Sequence, residues 1–365
     1  MSLPSEDIAH LNQPTPPVRG FASDNSAGAH PAVLAAVAAA NEGHALAYGE
    51  DAWTAECEAR FRELFGAGSR AFLVWSGTGA NVMALATTLG PAEAVVCAAS
   101  AHINVDETGA PERALGAKLI DLPCPDGKLV PAQLEELAHL QGNPHHAQPG
   151  VLSITQCTEL GTVYSAAEIA ALCETAHRMG MRVHLDGARI ANATAALGGT
   201  VEALRSFTVD AGVDVLSFGG TKNGLLYGEA VVYLDAQLAR SAPFVRKQVT
   251  QLPSKMRFVA AQLNALLDDG LWLHNAAHAN EMCRRLHDRV QSVDGVELGG
   301  APAANSVYPV LPADRIAALQ EWSFFYDWDV ALHQVRWMTA WDTTDDDVER
   351  FTAGVRAALG ASPSG

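Results

Sequence analysis

Positive charge is scarce in this sequence: 24 Lys and Arg residues stand against 41 Asp and Glu residues, and the formal net charge is −17. Such a balance repels a phosphate backbone and an anionic lipid surface, so it argues against nucleic acid and membranes as partners. No stretch approaches the roughly 20 apolar residues that a membrane-spanning helix requires. The start of the chain also lacks the basic and apolar regions of a signal peptide, and we therefore expect a cytoplasmic protein.

Cysteine is sparse as well, and its spacing argues against disulfides and metal sites. The six cysteines never form a C-x-x-C pair, and a chain of 365 residues needs no disulfide staples to hold a core. We expect reduced thiols. Cys173 and His177 lie four positions apart on a predicted helix, but no further ligand type accompanies them. A core thiol and a surface imidazole are the better interpretation, and we expect no metal centre.

What the sequence does contain is a regular alternation of short β-rich runs and helix-like stretches. The β-rich runs lie at 71–75, 94–97, 118–122, 151–155, 182–186 and 213–218. The helix-like stretches between and around them include 31–40, 51–65, 78–89, 130–140 and 166–179. Strands that alternate with helices in this way form βαβ units. The pattern predicts an α/β fold with a mostly parallel sheet, in which ligands collect at the carboxyl ends of the strands.

The two ends of the chain differ from this alternating middle. Residues 1–20 are polar and rich in proline, which is typical of an extended arm. After Leu234 the regular alternation stops, and the remainder combines long helical stretches with short strands. We therefore expect an arm over 1–20, a large domain over 21–255 and a smaller α+β domain over 256–365.

Three segments fall where a parallel sheet presents a ligand. Residues 76–79 (Ser-Gly-Thr-Gly) join a strand to a helix, whose first N–H groups can hold a phosphate. Asp186 ends an apolar strand, where a carboxylate can pair with a cationic ring nitrogen. Lys222 lies in a glycine-rich turn after the next strand, where an amine can form an imine with an aldehyde. Taken singly, these segments are more commonly a plain turn, a helix cap and an exposed lysine, but their order within one domain favours a site.

Several further segments occur in the same order. The full set is FASDN at 21–25, AYGED at 47–51, SGTGAN at 76–81, SAH at 100–102, HLDGARIANA at 184–193, SFGGTKNG at 217–224 and SKMR at 254–257. This combination resembles the fold type I enzymes that use pyridoxal 5′-phosphate (PLP). Within them it resembles the low-specificity L-threonine aldolases of the aromatic-amino-acid β-eliminating lyase superfamily.

The resemblance implies PLP as the cofactor and a role for each matching residue. Lys222 would hold PLP through an imine, Asp186 would keep the pyridine nitrogen protonated, and His102 would stack on the ring. The implied cofactor-binding residues are Gly77, Thr78, His102, Thr158, Asp186, Arg189, Thr221, Lys222 and Arg257. The implied substrate-binding residues are Ser23, Tyr48, Arg189 and Arg336. Since Tyr48 and Arg257 would reach a neighbour's cofactor, the resemblance also implies a homo-oligomer, either a dimer or a tetramer.

The activity that the resemblance implies is cleavage of β-hydroxy-α-amino acids to glycine and an aldehyde. Threonine, allo-threonine and phenylserine are the substrate types that it suggests. Fold does not fix function, so two alternatives stay open. One is another PLP reaction, such as β-elimination or transamination, and the other is a non-catalytic protein that binds PLP or a metabolite.

One position departs from the family pattern. Many relatives carry a histidine where this chain has Glu159. The implied catalytic residues are therefore Lys222, His102, Asp186 and Glu159, and the proton acceptor for the substrate hydroxyl could be His102, Glu159 or a water between them. A carboxylate beside a cationic cofactor normally has a lowered pKa and is a poor base, which favours His102.

Overall fold

The computed structural model describes residues 14–360, which form two compact units. The large unit covers Gly28–His274, and the small unit joins the described residues up to Ala27 to those from Asn275 onward. This division differs from the expected one. The change of unit falls between His274 and Asn275, within the helix Leu271–Val290, and not after residue 255. The described part of the expected arm belongs to the small unit, and residues 1–13 of the arm lie outside the described residues.

A seven-stranded sheet forms the centre of the large unit. Its strands are β1 (Arg70–Val74), β2 (Glu93–Ala98), β3 (Lys118–Leu122), β4 (Gln148–Thr155), β5 (Arg182–Gly187), β6 (Val215–Gly219) and β7 (Glu229–Tyr233). They are ordered β1-β7-β6-β5-β4-β2-β3. The pairs among β2 to β6 are parallel, whereas β7 pairs antiparallel with both β6 and β1. The prediction of a mostly parallel sheet is confirmed, but β7 is a strand that the sequence analysis missed.

Helices surround this sheet, and polar side chains mark where several of them begin. The helices are α1 (Pro31–Ala39), α2 (Ala52–Phe65), α3 (Gly77–Thr88), α4 (His102–Val105), α5 (Ala110–Leu115), α6 (Pro131–Glu135), α7 (Ala166–Arg178), α8 (Ile190–Ala196), α9 (Val201–Ser206), α10 (Ala242–Gln248), α11 (Arg257–Leu267) and the start of α12 (Leu271–Val290). Asp51 accepts from the Thr54 N–H at the start of α2, and Ser165 and Glu168 form a capping box on α7. The stretch expected as one helix over 130–140 is α6 followed by a 3₁₀ turn, Glu136–Leu140.

The middle strands of the sheet are buried on both faces. Every residue of β6 is buried, and so is every residue of β5 after Arg182. Strands buried on both sides are typical of parallel sheets covered by helices. Polar side chains therefore collect where β4, β5 and β6 end, and this edge of the sheet carries the candidate site.

The small unit has its own sheet and core. Its strands are β8 (Ser306–Val307), β9 (Tyr326–Asp329) and β10 (Gln334–Met338), in the order β8-β10-β9, and its later helices are α13 (Ala313–Trp322) and α14 (Asp345–Gly360). Phe21, Trp337 and Phe351 pack together in the core, which gives the expected α+β unit. The Val18 and Arg19 N–H groups both donate to Asp347 at the start of α14.

Two general features follow from the described residues. Within this part of the chain, no helix is long and apolar enough to cross a membrane. All six cysteines lie in it and are free thiols.

Candidate active site

A cavity lies in the large unit at the carboxyl edge of the sheet. Its volume is about 530 Å³, including the space that opens to solvent. The side chains that line it come from segments as far apart in sequence as α3 and β7. Of the residues predicted from the sequence, the cavity brings together Gly77, Thr78, His102, Glu159, Asp186, Arg189 and Lys222.

Asp186 is held by two donors at the end of β5. Its Oδ1 accepts from the Ala188 N–H at 3.0 Å, and its Oδ2 accepts from Asn81 Nδ2 at 2.8 Å. The alternative of a helix cap is not what the structure has, because α8 begins only at Ile190 and its N-cap residue is Arg189. The side chain is 4% exposed, so the carboxylate is presented to the cavity and not to bulk solvent.

The turn that carries Lys222 lies close against the end of β5. A β-carbon added at Gly219 would collide with the carbonyl group of Ala188, and one added at Gly187 would lie 2.7 Å from the Ser217 carbonyl oxygen. Only glycine allows the two strand ends to approach so closely. Lys222 itself lies in the 3₁₀ turn Thr221–Asn223, which begins two residues after β6 ends.

Glu229, the first residue of β7, fastens this lysine turn. Its Oε2 accepts from the Gly220 N–H at 2.7 Å, and its carboxyl group also bonds to the Thr221 side chain. Burial raises the pKa of Glu229 to about 7, although both hydrogen bonds and the charge of Lys222 oppose the shift. The sequence analysis missed this residue because it missed the strand on which the residue lies.

The predicted phosphate turn has the expected form. Ser76 is the N-cap of α3 and accepts from the Gly79 N–H at 3.2 Å. The first N–H groups of a helix have no acceptor within the helix. A β-carbon added at Gly77 would meet no heavy atom within 4 Å, so there is room in front of the helix start for a phosphate.

A row of hydrogen bonds connects His102 to Asp186. His102 Nδ1 lies 2.9 Å from Glu107 Oε1, and Asn81 Nδ2 lies 2.9 Å from the same oxygen. The bond to Glu107 raises the pKa of His102 above its ordinary value, the charge of Asp186 adds to this, and partial burial and the charge of Lys222 oppose it. Sequence reasoning missed Glu107 and Asn81 as site residues. The only signal was that Asn81 closes the SGTGAN segment.

Glu159 contacts the backbone of His102 and not its ring. Glu159 Oε1 accepts from the His102 N–H and from Thr155 Oγ1, both at 2.8 Å. Burial raises the pKa of Glu159, and these hydrogen bonds oppose the shift. The lowered pKa expected from the sequence is that of a carboxylate beside the cationic cofactor, and it stays a prediction.

Four other predicted residues of the large unit do not line this cavity. Thr158 is buried and bonds to Thr162 within its own loop, and Thr221 accepts from the Gly228 N–H. Tyr48 is 49% exposed, with Lys247 Nζ 4.7 Å from its ring centre. Arg257 donates to the Gly43 carbonyl oxygen at 3.2 Å. The Tyr48 N–H also donates to the Ser254 carbonyl oxygen, so a hydrogen bond connects the loop of Tyr48 to the segment that precedes Arg257.

The last two predicted residues belong to the small unit. Arg336 lies on β10, where it donates to the carbonyl oxygen of Ala22, the neighbour of Ser23. Its guanidinium group also lies 5.7 Å from the ring centre of Tyr326 and 5.4 Å from that of Trp328. Ser23 is buried at the start of a 3₁₀ turn and accepts from the Asn25 N–H. The structure thus brings Ser23 and Arg336 together within one unit.

Comparison with known proteins places this geometry among related enzymes. The low-specificity L-threonine aldolase of Pseudomonas sp. (strain NCIMB 10558) is 40% identical over 342 residues, which are 93% of this chain and 98% of that protein. A solved structure of Leishmania major threonine aldolase has 30% identity and a TM-score of 0.84, and it covers 93% of this chain and 99% of that chain. Sphingomonas wittichii serine palmitoyltransferase has a TM-score of 0.70 at 16% identity, over 93% of this chain and 86% of that chain, which shows a shared fold alone.

The family comparison agrees with these relatives. Residues 20–311 match the Beta-eliminating lyase family, and this segment contains every lining residue of the cavity. The chain belongs to the Beta-eliminating lyase family.

Proposed function

We propose that this chain is a PLP-dependent aldolase that cleaves β-hydroxy-α-amino acids to glycine and an aldehyde. The observation that carries the proposal is the presence of Lys222, Asp186 and His102 in one cavity of a chain from this family. The names of its relatives with 30–40% identity point to the same activity.

The residues of the cavity fit PLP. An amine suits the aldehyde, a buried carboxylate suits the pyridine nitrogen, and the open space at the start of α3 suits the phosphate. The chemistry supplied by bound PLP is an electron sink for the pair left on Cα when the Cα–Cβ bond breaks.

Each protein group then has a defined task. Lys222 Nζ would hold the cofactor, and Asp186 would keep a proton on the ring nitrogen. Arg189 would bind the substrate carboxylate through its planar guanidinium fork. Holding the carboxylate fixes which bond at Cα is aligned for cleavage, which is the positional part of the catalysis.

We assign the proton acceptor for the β-hydroxyl group to His102. Its Nδ1 is bonded to Glu107, and this bond raises the pKa of the ring above its ordinary value, which makes the imidazole a stronger proton acceptor. Glu159 Oε1, in contrast, already accepts two hydrogen bonds from the protein. We further propose that the protein is a homo-oligomer in which Tyr48 and Arg257 of one subunit serve the cofactor of another.

The activity is tested with the purified protein, PLP and a panel that includes L-threonine, L-allo-threonine, phenylserine and serine. We expect aldehyde release from the β-hydroxy amino acids, and we expect Lys222→Ala to abolish it. Pyruvate and ammonia as the main products would show β-elimination instead. A protein that takes up PLP but converts no member of the panel would be a binding protein.

A second pair of variants tests the assignment of the base. His102→Phe keeps an aromatic face and removes the proton acceptor, so we expect a loss of about 10²–10⁴-fold in cleavage. Glu159→Gln keeps an oxygen for the His102 N–H and should cleave almost normally. If Glu159→Gln loses activity and His102→Phe does not, the base is Glu159.

A further inference from the structure

Glu107 and Asn81 lie between the two groups that the proposed reaction uses on PLP. Both are almost fully buried, at 6% and 3% exposed, and both line the cavity. Asn81 Nδ2 lies 2.9 Å from Glu107 Oε1 and 2.8 Å from Asp186 Oδ2. The reaction described above assigns no role to either residue. Two buried polar side chains beside the reacting groups therefore require an explanation.

The hydrogen-bond chemistry fixes the direction of these contacts. A side-chain amide nitrogen carries two donors, and carboxylate oxygens only accept. Asn81 therefore gives one hydrogen to each carboxylate, and the reverse orientation would press its Oδ1 against two acceptors. Glu107 Oε1 presents only lone pairs to the imidazole, so His102 Nδ1 must carry the hydrogen of their 2.9 Å bond.

We propose that Glu107 is a positioning residue that holds the hydrogen of neutral His102 on Nδ1, so that Nε2 is the atom that receives the substrate proton. The imidazole is anchored at Nδ1 and its side chain stays 39% exposed. Asn81 supports the arrangement from behind by binding Glu107 and Asp186 together. The position of the hydrogen on Nδ1 does not depend on the proposed function. Only the use of Nε2 as the acceptor of the substrate proton rests on it.

The charges around His102 make the proposal measurable. Glu107 and Asp186 favour the protonated ring, Lys222 opposes it, and Glu159 faces the backbone N–H of His102. Glu107 Oε2 is buried without a hydrogen-bond partner among the described residues, so its charge acts on its surroundings with little screening. An opposite charge at this distance raises the pKa of a histidine by about 1–3 pH units, and partial exposure favours the lower end.

The test is a pH titration of the full-length protein labelled with ¹⁵N-histidine, with and without PLP. His102→Phe identifies the His102 signals among the 13 histidines. The ¹⁵N shifts report which ring nitrogen carries the hydrogen, and this readout requires no turnover. Glu107→Gln removes the negative charge beside the imidazole. Asp106→Asn is the matched control, because it removes one negative charge at the neighbouring position, where the side chain is exposed.

We expect neutral His102 in the unmodified protein to carry its hydrogen on Nδ1. Glu107→Gln should lower the pKa of His102 by about one pH unit, and the acid limb of the kcat/KM profile should move by the same amount. Asp106→Asn should leave both unchanged. A hydrogen on Nε2 in the unmodified protein would overturn the proposal even if Glu107→Gln fails to fold, and so would equal shifts in the two variants.

The outcomes also separate this proposal from the proposed function. If the Nδ1 hydrogen and the shift are observed but no aldehyde is released, the aldolase activity fails and the role of Glu107 stands. If aldehyde is released while Glu107→Gln leaves the tautomer and pKa of His102 unchanged, the role of Glu107 fails and the activity stands.

Discussion

Gly219→Ala tests whether the lysine turn depends on the close approach of β5 and β6. The added β-carbon would lie 2.7 Å from the carbonyl carbon and Cα of Ala188. Carbon atoms in favourable contact are about 3.5–4.0 Å apart, so the strand ends must separate by about 1 Å. Both neighbours are backbone atoms, which cannot turn aside as a side chain can.

The size of the effect follows from this displacement. Overpacking of a tight interior costs about 1–3 kcal/mol, which corresponds to a fall in Tm of roughly 2–12 °C for a unit of this length. The same movement carries Lys222 away from Asp186, and a misplacement of about 1 Å can cost about 10²-fold in rate. We therefore expect Gly219→Ala to lower both Tm and aldol cleavage, and to weaken PLP binding.

The measurements are thermal unfolding at fixed protein concentration, PLP titration by visible absorbance, and aldehyde release. Gly68→Ala is the matched control, because an added β-carbon there meets no heavy atom within 4 Å and the backbone needs no left-handed conformation. It should change the free energy of unfolding by no more than about 0.5 kcal/mol. If Gly219→Ala and Gly68→Ala have the same Tm and the same affinity for PLP, the steric argument is wrong.

Three further predictions concern the same cavity. Asp186→Asn should keep the fold and lower PLP affinity and cleavage by roughly 10–150-fold, since a hydrogen bond to a charged group contributes about 1.5–3 kcal/mol; unchanged titration curves would remove Asp186 from the site. Because burial raises the pKa of Glu229 to about 7, the folded state keeps this proton while the unfolded state ionises, so the free energy of unfolding falls as pH rises from about 4.5 to 7. Glu229→Gln should therefore gain stability relative to the unmodified protein over that range, by about 3 kcal/mol above it, and a difference in Tm that does not vary with pH would contradict this. If subunits share active sites, a mixture of Lys222→Ala and Arg257→Ala proteins should regain activity after subunit exchange. A protein that sediments as a monomer and is fully active would refute shared sites.

Local sequence was enough to predict the main strands and the principal site residues. β5 and β6 are short buried runs that include Val, Leu and Phe, and a polar and glycine-rich segment lies at the end of each. In a parallel sheet such segments must meet at one edge, so Asp186 and Lys222 could be assigned to one cavity before any coordinates were known. The resemblance to a family then supplied His102 and Arg189, which their local sequence does not distinguish from other residues.

The parts that could not be predicted depend on contacts between distant segments. Asn81 meets Glu107 and Asp186 across 26 and 105 positions of sequence. β7 pairs antiparallel with both β6 and β1, and no short-range pattern marks a strand that reverses direction inside a parallel sheet. Glu229 inherits this uncertainty, because only its place at the start of β7 brings its carboxyl group to the Gly220 N–H.

Two carboxylates contact His102, and the atom that each contacts determines what it can do. Glu159 accepts from the backbone N–H and therefore holds the start of α4 in place, whichever way the imidazole is protonated. Glu107 accepts from the ring itself and therefore acts on the proton that the ring can bind. Glu159 thus holds the backbone of His102, whereas the proposed function assigns the proton transfer to the imidazole that Glu107 contacts.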